Sequence, residues 1–245
     1  ASGTATLTIT PATAVVTVSD YTGVYDANAH TVSVTITGVN NTVLATDSKT
    51  GTLVADSGTL PVSISDPNYL PASGTATLTI TPATAVVTAV DYTGVYDGAS
   101  HTASVTITGV GGVELANESL TGDDVLESGD VSASTSDPNY EAASGTATLT
   151  ITPATAEVDV VDYTGVYDAN PHTVSVTITG VNNTVLATDS KSGTLVADSG
   201  TLTVSTTDSN YIPASGTATL TITAATAVVT AVDYTGVYDG ASHTA

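Results

Sequence analysis

Along residues 4–10, threonine alternates with Ala5, Leu7 and Ile9, and along residues 31–37 polar positions alternate with Val32, Val34 and Ile36. A period of two is the signature of a strand with one face in a core and the other in water. Both patterns return later in the chain, and the copies act as a substitution series. Val15 and Thr17 are matched by Glu157 and Asp159, while Val16 and Val18 are matched by Val158 and Val160. Charge is accepted on one face only, so Val16 and Val18 are expected to point inward. No stretch carries a sustained 3.6-residue period with caps, so the pattern predicts an all-β protein.

The copies have a fixed spacing. ASGTATLTIT begins at Ala1, Ala72, Ala143 and Ala214, each offset by 71 residues with no insertion or deletion. Two kinds alternate: NTVLATDS at 41–48 returns at 183–190, whereas the stretch between them reads GVELANES at 112–119. ATAVVTAVDYTGVYDGASHTA stands at 83–103 and again at 225–245. A period of this length means tandem domains. Residues 1–11 are expected to be the terminal strand of a preceding repeat, 12–82 and 154–224 repeats of type A, 83–153 a repeat of type B, and 225–245 the start of a further type B repeat. The chain is expected to be a window onto a longer array, with any targeting or anchoring segment outside it. Turn formers separate the strands: YTG at 21–23, DANA at 26–29, DSGT at 56–59 and DPNY at 66–69. The second becomes DGAS at 97–100 and DANP at 168–171, and reads as one hairpin turn. Six or seven short strands per unit are expected, forming a small β-sandwich. Pro11, Pro82 and Pro153 sit at the junctions, where short stiff linkers would make an elongated rod.

Composition narrows the function. Cysteine is absent, which excludes disulfides and thiolate metal sites. The net charge of −22 argues against nucleic acid, which is bound through Lys and Arg. No apolar run reaches the roughly 18–20 residues a membrane-spanning helix needs. Lys49 and Lys191 are the only basic residues besides histidine, and both are expected in the same exposed loop of the type A repeats. Lacking a lysine, unit 83–153 cannot form an intramolecular isopeptide bond.

DYTGVYDGASHT at 91–102, the alternating strands after it, the NY pair, and a final strand ending in TIT carry a resemblance. They resemble the YDG/MBG-type Ig-like repeats of very large bacterial surface proteins. Tyr96, Asp97 and Gly98, with Tyr238, Asp239 and Gly240, match the YDG core, whereas Ala27 and Ala169 replace the glycine in type A copies. That replacement is expected to mean that the turn does not need a positive φ. The resemblance implies a cell-surface stalk or adhesive array of Ig-like domains.

Four sets of residues could carry chemistry, one of them the threonine ladder Thr4, Thr6, Thr8 and Thr10, which is expected to be an ordinary solvent-facing strand row rather than an ice-binding face. The tyrosines occupy three repeat-fixed positions, as at Tyr21, Tyr25 and Tyr69. They could bind sugars, but as the only large aromatics of a small domain they are expected to be structural, the last as a tyrosine corner. One histidine per unit, His30 in the first, follows the turn, where a turn-closing hydrogen bond is expected rather than a zinc site. Asp20, Asp26, Asp66 and Asn68 recur in every complete unit and are candidate calcium ligands, against the alternative that aspartates in turns cap their own backbone. The acidic excess at Asp123, Asp124, Glu127 and Asp130 reads as a solvated surface. No nucleophile motif is present, and no enzyme is expected.

The sequence therefore points to an extracellular structural protein, a stalk or filament of tandem β-domains, associating with its own kind or continuing in the same chain. The rival is a multivalent adhesin gripping a glycan or host protein through each repeat. A pocket lined by Tyr21, Tyr25 and His30 would favour the rival.

Overall fold

A computed structural model describes all of residues 1–245. The first period holds six strands: β1 (Val15–Ser19), β2 (Tyr21–Val24), β3 (His30–Thr37), β4 (Val43–Gly51), β5 (Gly58–Ile64) and β6 (Ala72–Thr81). The same six return as β7–β12 between Val86 and Thr152, and as β13–β18 between Glu157 and Thr223. There is no α-helix, and so no helix long and apolar enough to cross a membrane.

Two three-stranded sheets face each other in each period, ordered β1-β3-β4 and β2-β6-β5 in the first. β3 lies antiparallel to β1 and β4, β6 lies antiparallel to β5, and β2 runs parallel to β6. The two central strands supply the core. Val32, Val34 and Ile36 of β3 and Ala76, Leu78 and Ile80 of β6 are all buried, and they are the positions marked by the alternating pattern. Val16 and Val18 point across at β6, where a Cβ on Gly74 would come within 2.5 Å of Val16 Cγ1 and 3.3 Å of Val18 Cγ2. A glycine is required there because the two sheets approach so closely. β1 is an edge strand, so Val18 remains partly exposed although it faces inward. The result is a tandem Ig-like sandwich fold.

Contacts gather the chain into two compact units. One comprises Ala1–Thr93, Ser100–Gly122 and Glu127–Thr150, and the other Gly94–Ala99, Asp123–Leu126 and Ile151–Ala245.

Several local expectations are corrected. YTG is not a turn but the strand β2. Its Gly23 is needed because the Tyr21 ring folds back over it, and an added Cβ would overlap the Tyr21 hydroxyl. DANA is not a hairpin either, since β2 and β3 lie in different sheets. It is a crossover from one sheet to the other. Ala27 and Ala169 stand at φ 65° and 63°, matching Gly98 at 75°, so the turn does take a left-handed residue and alanine tolerates it. The hairpin lies instead between β3 and β4, where Asn40 and Asn41 take positive φ. Gly111 and Gly112 replace them in type B, the exchange that a left-handed two-residue turn permits. Lys49 and Lys191 are not in loops: they stand in strands, paired with Val32 and Val174. Residues 1–10 carry the pattern of β6 but form no strand, and Leu7 is 86% exposed where its counterpart Leu78 is fully buried. Pattern alone does not make a strand without a partner.

Candidate functional site

Two constellations recur in every complete repeat: a closed turn at one sheet crossover, and a junction that ties one repeat to the next. The turn is local. Tyr21 stacks flat on His30 with ring centroids 3.8 Å apart. His30 Nε2 lies 3.0 Å from both the Tyr21 hydroxyl and Asp26 Oδ1. A carboxylate only accepts, so the Nε2–H donates to Asp26. The Asn28 backbone N–H donates to the same oxygen at 2.9 Å, making an Asx turn. The Asn28 bond, then that of His30, holds the Asp26 carboxyl at about 2, well below its ordinary 3.8. Asp168 is held at about 2 by the equivalent bonds from Asn170 and His172. Tyr234, Asp239 and His243 make the same arrangement where no strand flanks it. Ten residues are enough to build it.

The calcium candidates do not gather around a common point. Asp20 Oδ1 accepts the Thr77 N–H at 2.7 Å, Asp26 belongs to the turn just described, and Asp66 Oδ1 accepts the Asn68 N–H at 2.8 Å. Each carboxylate is committed to a backbone donor in a different place. The Tyr69 hydroxyl accepts the Val39 N–H at 3.1 Å, 30 residues away across the sandwich. A tyrosine corner instead bonds a few residues upstream, so that expectation is corrected. The ring lies over Gly38, where a Cβ would overlap the hydroxyl.

The junction was not visible in the sequence. Within the first unit, Asn139 Oδ1 accepts the Val54 N–H at 3.0 Å, and Tyr140 meets Tyr25 edge to face at 5.4 Å. Asn139 is itself set by Asp137, which accepts its backbone N–H at 2.8 Å and its side-chain amide at 3.0 Å. Within the second unit, the same positions one period later do the same. Asn210 Oδ1 accepts the Val125 N–H at 2.9 Å, and Tyr211 meets Tyr96 at 5.5 Å. A further bond runs from Asn210 Nδ2 to Asp124 Oδ1 at 2.7 Å. Burial, with Tyr211 and nearby aspartates adding to it, pushes the Tyr96 hydroxyl up from 10.0. Val54 and Val125 each begin a 3-10 turn whose first N–H has no partner inside its own turn, and asparagine supplies one. The candidate residues thus divide between the two constellations. Tyr21 and His30 close a turn, Tyr25 reaches the next repeat, and the counterparts of Asn68 bind the previous one.

No protein-family model matches the chain, and neither does any curated protein sequence. Among solved structures, the chain is similar to the I67–I69 fragment of the titin I-band, at 11% identity over 87% of this chain and 99% of that one, with a TM-score of 0.39. It is also similar to a Ca2+-stabilised adhesin with which an Antarctic bacterium binds ice, at 18% identity over 91% of this chain and 75% of that one, with a TM-score of 0.27. Scores of this size say nothing of function, and the sandwich description rests on the sheets themselves.

Proposed function

We propose that the chain is an extracellular structural protein, a stalk or filament strut of tandem Ig-like domains on or from a microbial cell surface. The junction carries this reading: the same asparagine and tyrosine pair fixes one repeat to the next in both units. A flexible tether would have no reason to commit these side chains, whereas a strut needs each repeat held at a set angle to its neighbour. The resemblance to YDG/MBG-type repeats supports the surface location. So does a composition without Cys, Met or Trp, the side chains most readily oxidised. The adhesin reading expected a pocket lined by Tyr21, Tyr25 and His30, but Tyr21 is stacked on His30 and Tyr25 is packed on Tyr140.

Small-angle scattering of the dilute monomer tests the strut. A ten-residue strand spans about 33 Å, so domains stacked in series should give a maximum dimension beyond about 100 Å. A compact globule would sink the proposal.

A further inference from the structure

The two junctions share their asparagine and tyrosine but not their surroundings. Leu53 precedes Val54 in the type A repeat, and Asp124 stands in its place before Val125 in type B. The exchange redirects one amide. Where type A leads, the Leu53 side chain offers no acceptor, and Asn139 Nδ2 turns back to Asp137 of its own loop at 3.0 Å. Where type B leads, Asn210 Nδ2 crosses to Asp124 Oδ1 at 2.7 Å, while Asp208 still accepts the Asn210 backbone N–H at 2.8 Å. A bond to a carboxylate is of the stronger kind. Here it ties two repeats together instead of one loop to itself.

The hairpin tips differ in the same sense. Asn182 of the third repeat reaches back to the turn of the second, where a Cβ on Gly98 would stand 3.5 Å from Asn182 Nδ2 and 3.9 Å from Val181 Cγ1. Its counterpart in the second repeat is Gly111, which has no side chain to extend, and a Cβ built there would meet nothing within 4 Å. Asp124 and Asn182 are both residues by which the two repeat types differ. They act on one junction only where a type A repeat follows a type B repeat.

We propose that the alternation of repeat types builds joints of two grades. The joint after a type B repeat is locked by Asp124 and Asn182. The joint after a type A repeat is held by the shared asparagine and tyrosine alone and opens first. Part of the acidic excess of type B thus has a task beyond solvation. The inference concerns the relative strength of the two joints and goes beyond the strut reading, which would be served equally by joints all alike.

Each joint carries its own reporter. The Val54 and Val125 N–H groups donate to the asparagine across their junctions, so their exchange with solvent follows the opening of each joint. Hydrogen exchange of the full chain, read by NMR as protection factors, tests the proposal. Val125 should be protected at least about tenfold more than Val54, the size expected of one more bond to a charged group. Asp124→Leu, which installs the type A residue, should remove most of that difference, and Asn182→Gly part of it. Leu53→Asp should raise the protection of Val54, by giving Asn139 the acceptor it lacks. The amides of Val34 and Val105, in the central strands β3 and β9, should keep the parent's rates in all three variants, which shows the sandwiches intact. Equal protection of Val54 and Val125 in the parent would overturn the proposal. So would an Asp124→Leu variant with Val125 unchanged, or a Leu53→Asp variant with Val54 unchanged. Scattering of the dilute monomer judges the strut separately.

Discussion

Ala27 and Ala169 occupy a left-handed conformation that costs an L-residue about 1–2 kcal/mol. The type B repeats place Gly98 there at φ 75° and avoid that strain. Replacing Ala27 or Ala169 by Gly should stabilise its repeat by about 0.5–1 kcal/mol, after subtracting the freedom glycine gains in the unfolded chain. Gly98→Ala should destabilise by a similar amount, and thermal melts followed by circular dichroism would show both. The same turn has a pH signature. The folded pKa of Asp26 and Asp168, about 2, lies below the ordinary 3.8. Their contribution to stability is therefore complete above pH about 4 and lost as the pH falls toward 2. The difference in melting temperature between the parent and the Asp26→Asn, Asp168→Asn variant should stay level from neutral pH to about 5, then close below about 4. A gap that persists to pH 2 would show that the Asx bonds do not hold these carboxylates.

At the scale of the element, the chain contains its own control. Leu7 and Leu78 stand in the identical decapeptide, one exposed and the other fully buried between two sheets. Leu78→Ala should cost about 2–5 kcal/mol, and Leu7→Ala should stay within about 0.5 kcal/mol. Comparable effects from both would mean that residues 1–10 find a sheet to join. The alternating strands were legible because their faces differ in polarity: Val32, Val34, Ile36, Ala76, Leu78 and Ile80 all lie where the period puts them. The crossovers were less so. DANA and YTG have the composition of turns, and nothing in that composition says whether the next strand stays in the same sheet. The Asn40-Asn41 for Gly111-Gly112 exchange did mark a left-handed hairpin turn and could have been read. The junction left no such mark. Val54 and Asn139 lie 85 residues apart, and their counterparts never vary, so the substitution series that revealed strand faces is silent about them.

For the whole molecule, the two lysines offer a measure of how tightly the sandwiches stay closed. Lys49 and Lys191 lie in edge strands, each paired along its length to a central strand. Trypsin must unfold that pairing before it can cut, so the native chain should resist digestion. The urea-unfolded chain should yield a middle fragment of 142 residues, the span between the two lysines. Rapid cleavage of the native protein would show that β4 opens by itself.

The parallel pairing of β2 with β6 has a mechanical consequence. Pulling on a repeat draws its beginning toward one end and its last strand toward the other. β2 lies near the beginning, β6 is the last strand, and they run side by side in the same direction, with Tyr21 to Val24 facing Leu78 to Thr81. The bridge between Ala12 and Tyr69 is parallel too. Force along the chain therefore loads these hydrogen bonds in shear, all at once, instead of opening them one after another like a zipper. The same clamp stands between β14 and β18 in the third repeat, from Tyr163 to Val166 against Leu220 to Thr223. Each repeat should accordingly yield in a single step, and only after its whole clamp has given way together.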